Sequence, residues 1–283
     1  MTQFRTVKIS QILNPTSIDL GEYVINPFMG CEYACLYCYV RQNKVIHKKK
    51  DPWGSYVELR VNAPKLLEKE ILLKRPAIVL LGSTTECFQP IEKKYKITKS
   101  ILEILNRYGV YYNILTRSPY LQEYIDLLSK GYCKRIYFTI NNLEEPLKIK
   151  LEEKSPPYEE RIRAIHRLSE AGIDVVPYFS PIFPWVSDFK GIFTKFPKIK
   201  SIEFEGLNLR VINIKAIINA ISSVYPDLRT RYERLNTDRD YYEAFWQDIK
   251  NSIKEEATKS GKAYNIYIHR FDSYFENTYK NEE

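Results

Sequence analysis

Glycine is scarce in this chain, 10 of 283 residues, and no apolar run is followed by Gly-x-Gly-x-x-Gly. That absence argues against a dinucleotide-binding sheet, whose first turn needs those glycines to admit a pyrophosphate. Cysteine is scarcer and odd in number, at five. Neither the count nor the length suits a disulfide scaffold. No uncharged apolar stretch reaches the ~18 residues of a membrane-spanning helix. The opening Met-Thr-Gln-Phe-Arg-Thr-Val-Lys lacks the apolar core of a secretory signal. A cytoplasmic chain with no membrane partner is the expectation. Internal repeats, low-complexity tracts and long linkers are absent as well.

What is present is basic charge and ordinary apolar content. Lys and Arg number 43 against 35 acidic residues, a net charge of +8. Such a balance favours polyanionic partners such as nucleic acid, although solvated lysines on helices give the same sum. Apolar residues make up 44%, enough for a packed core. The lean towards Ile, Lys and Tyr, with two Met, points to a hot-adapted source.

Short apolar strands alternate with amphipathic helices. Strands are expected at 23–26, 76–82, 110–116, 135–140, 173–179 and 199–204, with 57–61 outside the series. Helices are expected at 63–74, 97–108, 120–130 and 158–171. The first should bury Leu66, Leu67, Ile71 and Leu72 on one face. Strand–helix alternation at this spacing means parallel βαβ units. The expected fold is α/β, a partial (β/α)6 TIM-like barrel over 1–206. Residues 207–283 form a C-terminal extension of helices (214–224, 240–259) and a late strand (264–269) that caps the barrel or covers substrate.

The segment Asn26-Pro27-Phe28-Met29-Gly30-Cys31-Glu32-Tyr33-Ala34-Cys35-Leu36-Tyr37-Cys38-Tyr39 spaces three thiols as C-x3-C-x2-C. Three thiolates on a tight loop can hold three irons of a cubane and leave the fourth open. Spacing alone leaves two other readings standing. Cys31, Cys35, Cys38 and His47 make a Cys3His set for tetrahedral zinc, and buried cysteines are often inert.

The cysteine segment and the motifs after it resemble the radical SAM superfamily, in its spore photoproduct lyase-related subgroup, often labelled DNA repair photolyases. The resemblance rests on Asn26-Pro27-Phe28-x-Gly30-Cys31, Val61-Asn62-Ala63-Pro64-x-Leu66-Leu67 and Thr85-x-x-Phe88-Gln89-Pro90-x-Glu92. It continues through Leu115-Thr116-Arg117-Ser118, Leu151-Glu152-x-x-x-Pro156, Glu160-Arg161, Ala171-Gly172-Ile173 and Pro181-Ile182-x-Pro184. The motifs are ordered as in that subgroup and span Asn26 to Asp188, more than half of the chain.

The resemblance implies a [4Fe–4S] cluster on Cys31, Cys35 and Cys38, with S-adenosylmethionine (SAM) on the open iron. It implies a one-electron donor such as ferredoxin or flavodoxin, and a 5′-deoxyadenosyl radical that takes hydrogen from a substrate. That substrate is a nucleic-acid lesion or modification, or else a peptide or small metabolite; a non-catalytic zinc or Fe–S module is the alternative from another class. Tyr39 matches the aromatic at the adenine. Ser83, Thr84 and Thr85 stand where backbone carbonyls meet the SAM amino group. Arg117 and Arg161 are the candidates for its carboxylate, and Thr139 and Asn141 for its ribose. Each has a bland counterpart: a hydroxyl-capped turn, a strand-end polar residue or a solvated charge. The subgroup usually has Asp where this chain has Glu86, and a small residue or Pro where it has Cys87. A thiol there resembles the hydrogen-donating cysteine of spore photoproduct lyase, though a free Cys is usually a small buried hydrophobe. Cys133 reads as structural. Lys48–Lys50, Lys93, Lys94 and Lys96, with Trp53, Tyr56, Phe88 and Trp185, would form a basic, aromatic rim suited to unstacked bases. The plainer expectation is solvated lysines and core aromatics.

Overall fold

The computed structural model describes residues 2–47 and 51–272, without the side chains of Lys44 and His47. Lys48, Lys49, Lys50 and the imidazole of His47 therefore lie outside the described residues. The chain divides into two compact units.

The first unit comprises Met1–Ala34, Lys50–Thr139 and Ser155–Val176. Strands β3 (Tyr23–Ile25), β6 (Ile78–Leu81), β7 (Tyr111–Thr116) and β8 (Cys133–Ile140) run parallel in that order, and β2 (Asn14–Pro15) pairs antiparallel on β3. Val79, Leu80, Leu81, Tyr112, Ile114, Ile136 and Phe138 bury the sheet on both faces, as parallel sheets demand. A small second sheet sets β5 (Tyr56–Arg60) between β1 (Gln3–Val7) and β4 (Phe28–Met29). This is the strand that stands outside the βα series.

Helices α1 (Ala63–Lys74) and α2 (Ile97–Tyr108) match the apolar periodicity, and Gly109 ends α2 in the left-handed conformation. The buried face of α1 is rotated from the expected one. It carries Ala63, Leu67, Glu70 and Ile71, while Leu72 is exposed. Glu70 is buried because its carboxylate accepts from the backbone N–H groups of Ile12 and Leu13, at 2.7 and 3.0 Å. The helix expected over 120–130 is a 3₁₀ segment, Pro119–Tyr124, followed by a short helix, Ile125–Ser129. Pro119 starts it and supplies no N–H.

The second unit comprises Cys35–Lys49, Ile140–Lys154 and Pro177–Glu283. It holds helix α3 (Glu145–Glu152), and the first unit holds α4 (Tyr158–Glu170). From Tyr178 onward, β9 (Val175–Ile182) pairs parallel with β10 (Ser201–Gly206), which pairs parallel with β11 (Ala263–Tyr267). The late strand thus extends the sheet of this unit. Helices α5 (Ile214–Ser222), α6 (Arg229–Thr237) and α7 (Arg239–Ser260) follow β10, with Trp246 and Ile253 buried on α7. Strand and helix thus alternate as expected, and the fold is α/β with a mostly parallel, partial TIM-like arrangement.

Candidate active site

In the first unit the chemistry-bearing side chains gather at the C-terminal ends of the parallel strands, the edge where such folds place their sites. In the first unit the loop after β3 carries Cys31. Gly30 precedes it at φ +91°, and a Cβ there would stand 2.4 Å from the carbonyl oxygen of Tyr56. Only glycine lets the loop pass that strand. The loop after β6 is strapped to it. Thr85 Oγ1 donates to the Gly30 carbonyl at 2.6 Å, and Gln89 Oε1 accepts from Glu32 N at 2.8 Å. Glu32 in turn accepts from Ile91 N at 2.7 Å. Asn26 spans the two strand ends, donating to Ser83 Oγ at 3.1 Å and accepting from Thr84 N at 3.0 Å.

Glu86 is buried and ties this loop to the end of β7. Its carboxylate accepts from Phe88 N, Thr116 Oγ1 and Arg117 N at 2.9, 2.7 and 2.9 Å. Burial raises its pKa, and those three donors work against the rise. Ser118 donates to the Phe88 carbonyl at 2.6 Å and accepts from Tyr33 OH at 2.9 Å. Tyr33 is buried within electrostatic reach of Glu86, Cys31 and Arg161, and burial drives its pKa upward.

Arg161 on α4 is fully buried, with Nε donating to the Pro156 carbonyl at 2.9 Å. It is not a solvated surface charge. Cys87 is fully buried, and burial together with Glu86, Glu92 and Cys31 keeps it a protonated thiol. Cys133 is half-buried, its pKa pushed up to about 12 by burial. Arg117 and Thr139 lie half-exposed at their strand ends. Tyr56 and Phe88 are fully buried, so they belong to the core and not to a rim; Lys93 stands over the Tyr120 ring at 5.0 Å.

The second unit holds Cys35, Cys38, Tyr39 and Asn141. Leu36, between the two cysteines, donates its N–H to the Leu151 carbonyl at 2.7 Å and accepts from Asn213 Nδ2. Tyr37 OH donates to Glu152, and Asn141 Nδ2 reaches Tyr37 OH and Glu152 Oε2 at 3.1 and 3.2 Å. The Leu151-Glu152 motif is therefore a strut for this half of the cysteine loop. Among the described residues, Oδ1 of buried Asn141 has no hydrogen-bond partner. Arg41 donates Nε to the Cys35 carbonyl at 3.1 Å. Burial lowers its pKa, and the neighbouring Cys38 and Cys35 raise it again. Tyr39 opens a 3₁₀ turn, 38% exposed.

Sequence reasoning missed a second cluster in this unit. Glu205 at the end of β10 accepts from Tyr178 OH and Ser180 Oγ on β9 at 2.8 and 2.6 Å, and pairs with His269 Nε2 at 3.3 Å. Burial raises the Glu205 pKa, but His269, Ser180 and Tyr178 outweigh it and hold the carboxyl below its usual range. Only the pleat would have revealed it, since Tyr178 stands opposite Glu203, one pleat from Glu205.

None of the five cysteines is in a disulfide. Among the described residues, no three His, Cys, Asp or Glu side chains gather as ligands of a single ion. A cubane takes one thiolate per iron, and a loop of three thiols with a guanidinium beside it suits that demand.

Comparison with known proteins agrees. The radical SAM superfamily model matches residues 25–189. An uncharacterized protein of Methanocaldococcus jannaschii is 32% identical over 88% of this chain and 92% of its own length. One of the Acidianus two-tailed virus is 29% identical over 57% of this chain and 56% of its own. In structure, spore photoproduct lyase complexed with dinucleoside spore photoproduct superposes with a TM-score of 0.66 at 16% identity, covering 94% of this chain and 82% of that one. SuiB of Streptococcus suis, bound to S-adenosylmethionine, gives 0.52 at 15% identity over 87% and 49%. At these identities the two structures speak to the fold. The family model, over more than half of the chain, with the thiol loop it contains, makes this an enzyme of the radical SAM superfamily, with a [4Fe–4S] cluster and SAM as its cofactors.

Proposed function

We propose that Cys31, Cys35 and Cys38 hold the cluster and that the enzyme acts on a nucleic acid. When bound, the two cofactors supply reductive cleavage of SAM to methionine and a 5′-deoxyadenosyl radical, which takes a hydrogen atom from substrate. The observation that carries the ligand assignment is the pair of independent struts on the loop. Thr85 and Gln89 fix the Gly30–Glu32 end, while Leu151, Glu152 and Arg41 fix the Cys35–Cys38 end. Tyr39 lines the adenine, Arg117 and Arg161 take the SAM carboxylate, and Ser83, Thr84 and Thr85 flank its amino group. Thr139 and Asn141 serve the ribose, where Asn141 Oδ1 is an acceptor ready for a hydroxyl. Cys87, kept as S–H, is the candidate for returning hydrogen to a product radical. Electrons come from a small carrier such as a ferredoxin or flavodoxin. Net charge of +8 and the likeness to a lyase solved with a dinucleoside favour a nucleic-acid substrate.

Anaerobic purification with iron, zinc and sulfide analysis tests the cluster. The expectation is iron and sulfide in the wild type, their loss in Cys35→Ala, and 5′-deoxyadenosine on adding dithionite and SAM. Zinc without iron after reconstitution would overturn the assignment. Nucleic-acid binding should weaken steeply with salt; affinity indifferent to salt would remove the nucleic-acid substrate.

A further inference from the structure

Trp185 is the first residue of the loop after β9 to reach solvent, and its backbone is unusual. Its φ is +60°, a left-handed conformation that a bulky side chain adopts only when its surroundings impose it. The surroundings here are explicit. Val186 N and Ser187 N donate to the Phe183 carbonyl at 3.0 and 2.9 Å, and Phe183 N donates to Ser187 Oγ at 2.9 Å. Tyr232 OH on α6, itself fully buried, donates to the Pro184 carbonyl at 2.8 Å. Those four bonds clamp the turn on both sides of the tryptophan.

The clamp does not bury the ring. Trp185 remains 36% exposed, edge-on to Tyr232 at 5.5 Å and tilted against Phe245 at 4.8 Å. A glycine would take this backbone without cost, so a structural turn alone does not account for an indole there. The guanidinium of Arg231 stands 5.7 Å from the indole centroid. The other arginines of this surface are matched to acids: Arg229 to Glu233, Arg234 to Asp238, Arg239 to Glu243 and Asp272. Arg231 is exposed and has no acidic partner among the described residues. A partly exposed indole held by Tyr232 and Phe245, with an unneutralised guanidinium over its ring, offers an aromatic surface for stacking and a cation for a phosphate.

We infer that Trp185 and Arg231 form a subsite for one unpaired nucleobase and its adjoining phosphate. The inference rests on the nucleic-acid reading above and adds to it where a base is held. Stacking on indole tolerates any base, so the subsite confers affinity for opened or single-stranded substrate and little sequence preference.

Cluster-reconstituted full-length protein, a short thymidine oligonucleotide, an abasic strand of equal length and a blunt duplex provide the test. The thymidine strand should quench tryptophan fluorescence and bind more tightly than the duplex. Trp185→Ala should weaken it by roughly 5- to 100-fold, the range for one lost base stack, and change abasic-strand binding by less than about twofold, well short of one lost stack. Trp185→Phe should retain most of the affinity. Arg231→Gln should lower the salt slope by about one for both strands. If Trp185→Ala fails to fold by circular dichroism, Trp185→Phe and Arg231→Gln decide: an unchanged salt slope in Arg231→Gln overturns the subsite. Equal weakening of thymidine and abasic strands, or none, overturns stacking and leaves the nucleic-acid reading intact. A wild type that binds no nucleic acid in a salt-dependent way overturns both.

Discussion

Gly82 sits where the β6 strand turns into the loop that carries Ser83, Thr84 and Thr85. Its φ is +90°, and a Cβ would lie 2.5 Å from the Leu115 carbonyl oxygen and 3.4 Å from Cys87 Sγ. Neither neighbour can yield, because Leu115 is mid-ladder and Cys87 is fully buried. Gly82→Ala is therefore expected to cost about 2–4 kcal/mol, from a disfavoured backbone and an overpacked contact together. Urea unfolding of the apo-protein measures it, and an unshifted midpoint would refute the close approach. At this scale the sequence was partly legible. The three thiols announced themselves by spacing, whereas Glu86 looked like a departure from pattern. In the structure its longer side chain reaches Thr116, Arg117 and Phe88 at once. Arg41 carried no signal in the sequence, because no one-dimensional pattern puts its guanidinium on the Cys35 carbonyl.

Elements explain why the family motifs contain the residues they do. Thr85-x-x-Phe88-Gln89 reads as a string of letters, but its polar members brace the cysteine loop while Phe88 fills the core. Gln89 is fully buried and engages Glu32 N and Thr85 Oγ1, at 2.8 and 3.3 Å. Gln89→Ala strands the Glu32 backbone donor on the cysteine loop. The expected cost is about 1–3 kcal/mol, the penalty for an unsatisfied buried group. Iron should also leave this variant faster under an external chelator than it leaves wild type. Equal iron-release rates would mean that the strap holds the fold but not the loop. Strands and long helices were legible because their apolar periods are strong, with α1 and α2 matching at both ends. The 3₁₀ segment at Pro119–Tyr124 was not, since proline and a tertiary anchor at Ser118 override the helical pattern. The face of α1 was misplaced for a similar reason: periodicity cannot anticipate a buried glutamate that caps another segment.

Across the whole molecule, buried carboxyls set the pH response of stability. Glu92 has no exposed surface and accepts from Thr98 N and Lys99 N, both at 3.0 Å. Burial nonetheless raises its pKa from 4.5 to about 7. The folded chain therefore keeps a proton that the unfolded chain gives up near pH 4.5. Stability from this group is complete below that pH and declines as the pH climbs through about 7. The loss is on the order of 3 kcal/mol at pH 8, at about 1.4 kcal/mol per pH unit of difference. Glu86, also raised by burial, acts in the same direction. Glu205 acts in the opposite sense: its pKa is held low by His269, Ser180 and Tyr178 against burial, so its contribution is present above the ordinary carboxylate range and fades as acid is added. The apo-protein should accordingly be most stable in mildly acidic solution, despite a pI of about 9.0. Glu92→Gln isolates one contribution. The amide cannot ionise, so the variant should be destabilised at pH 5, where wild type has a neutral, well-bonded carboxyl. That deficit should shrink by pH 8, where wild type bears the cost of a buried charge. Urea midpoints of both proteins at the two pH values decide it, and a deficit that stays constant or grows with pH would refute the raised pKa of Glu92.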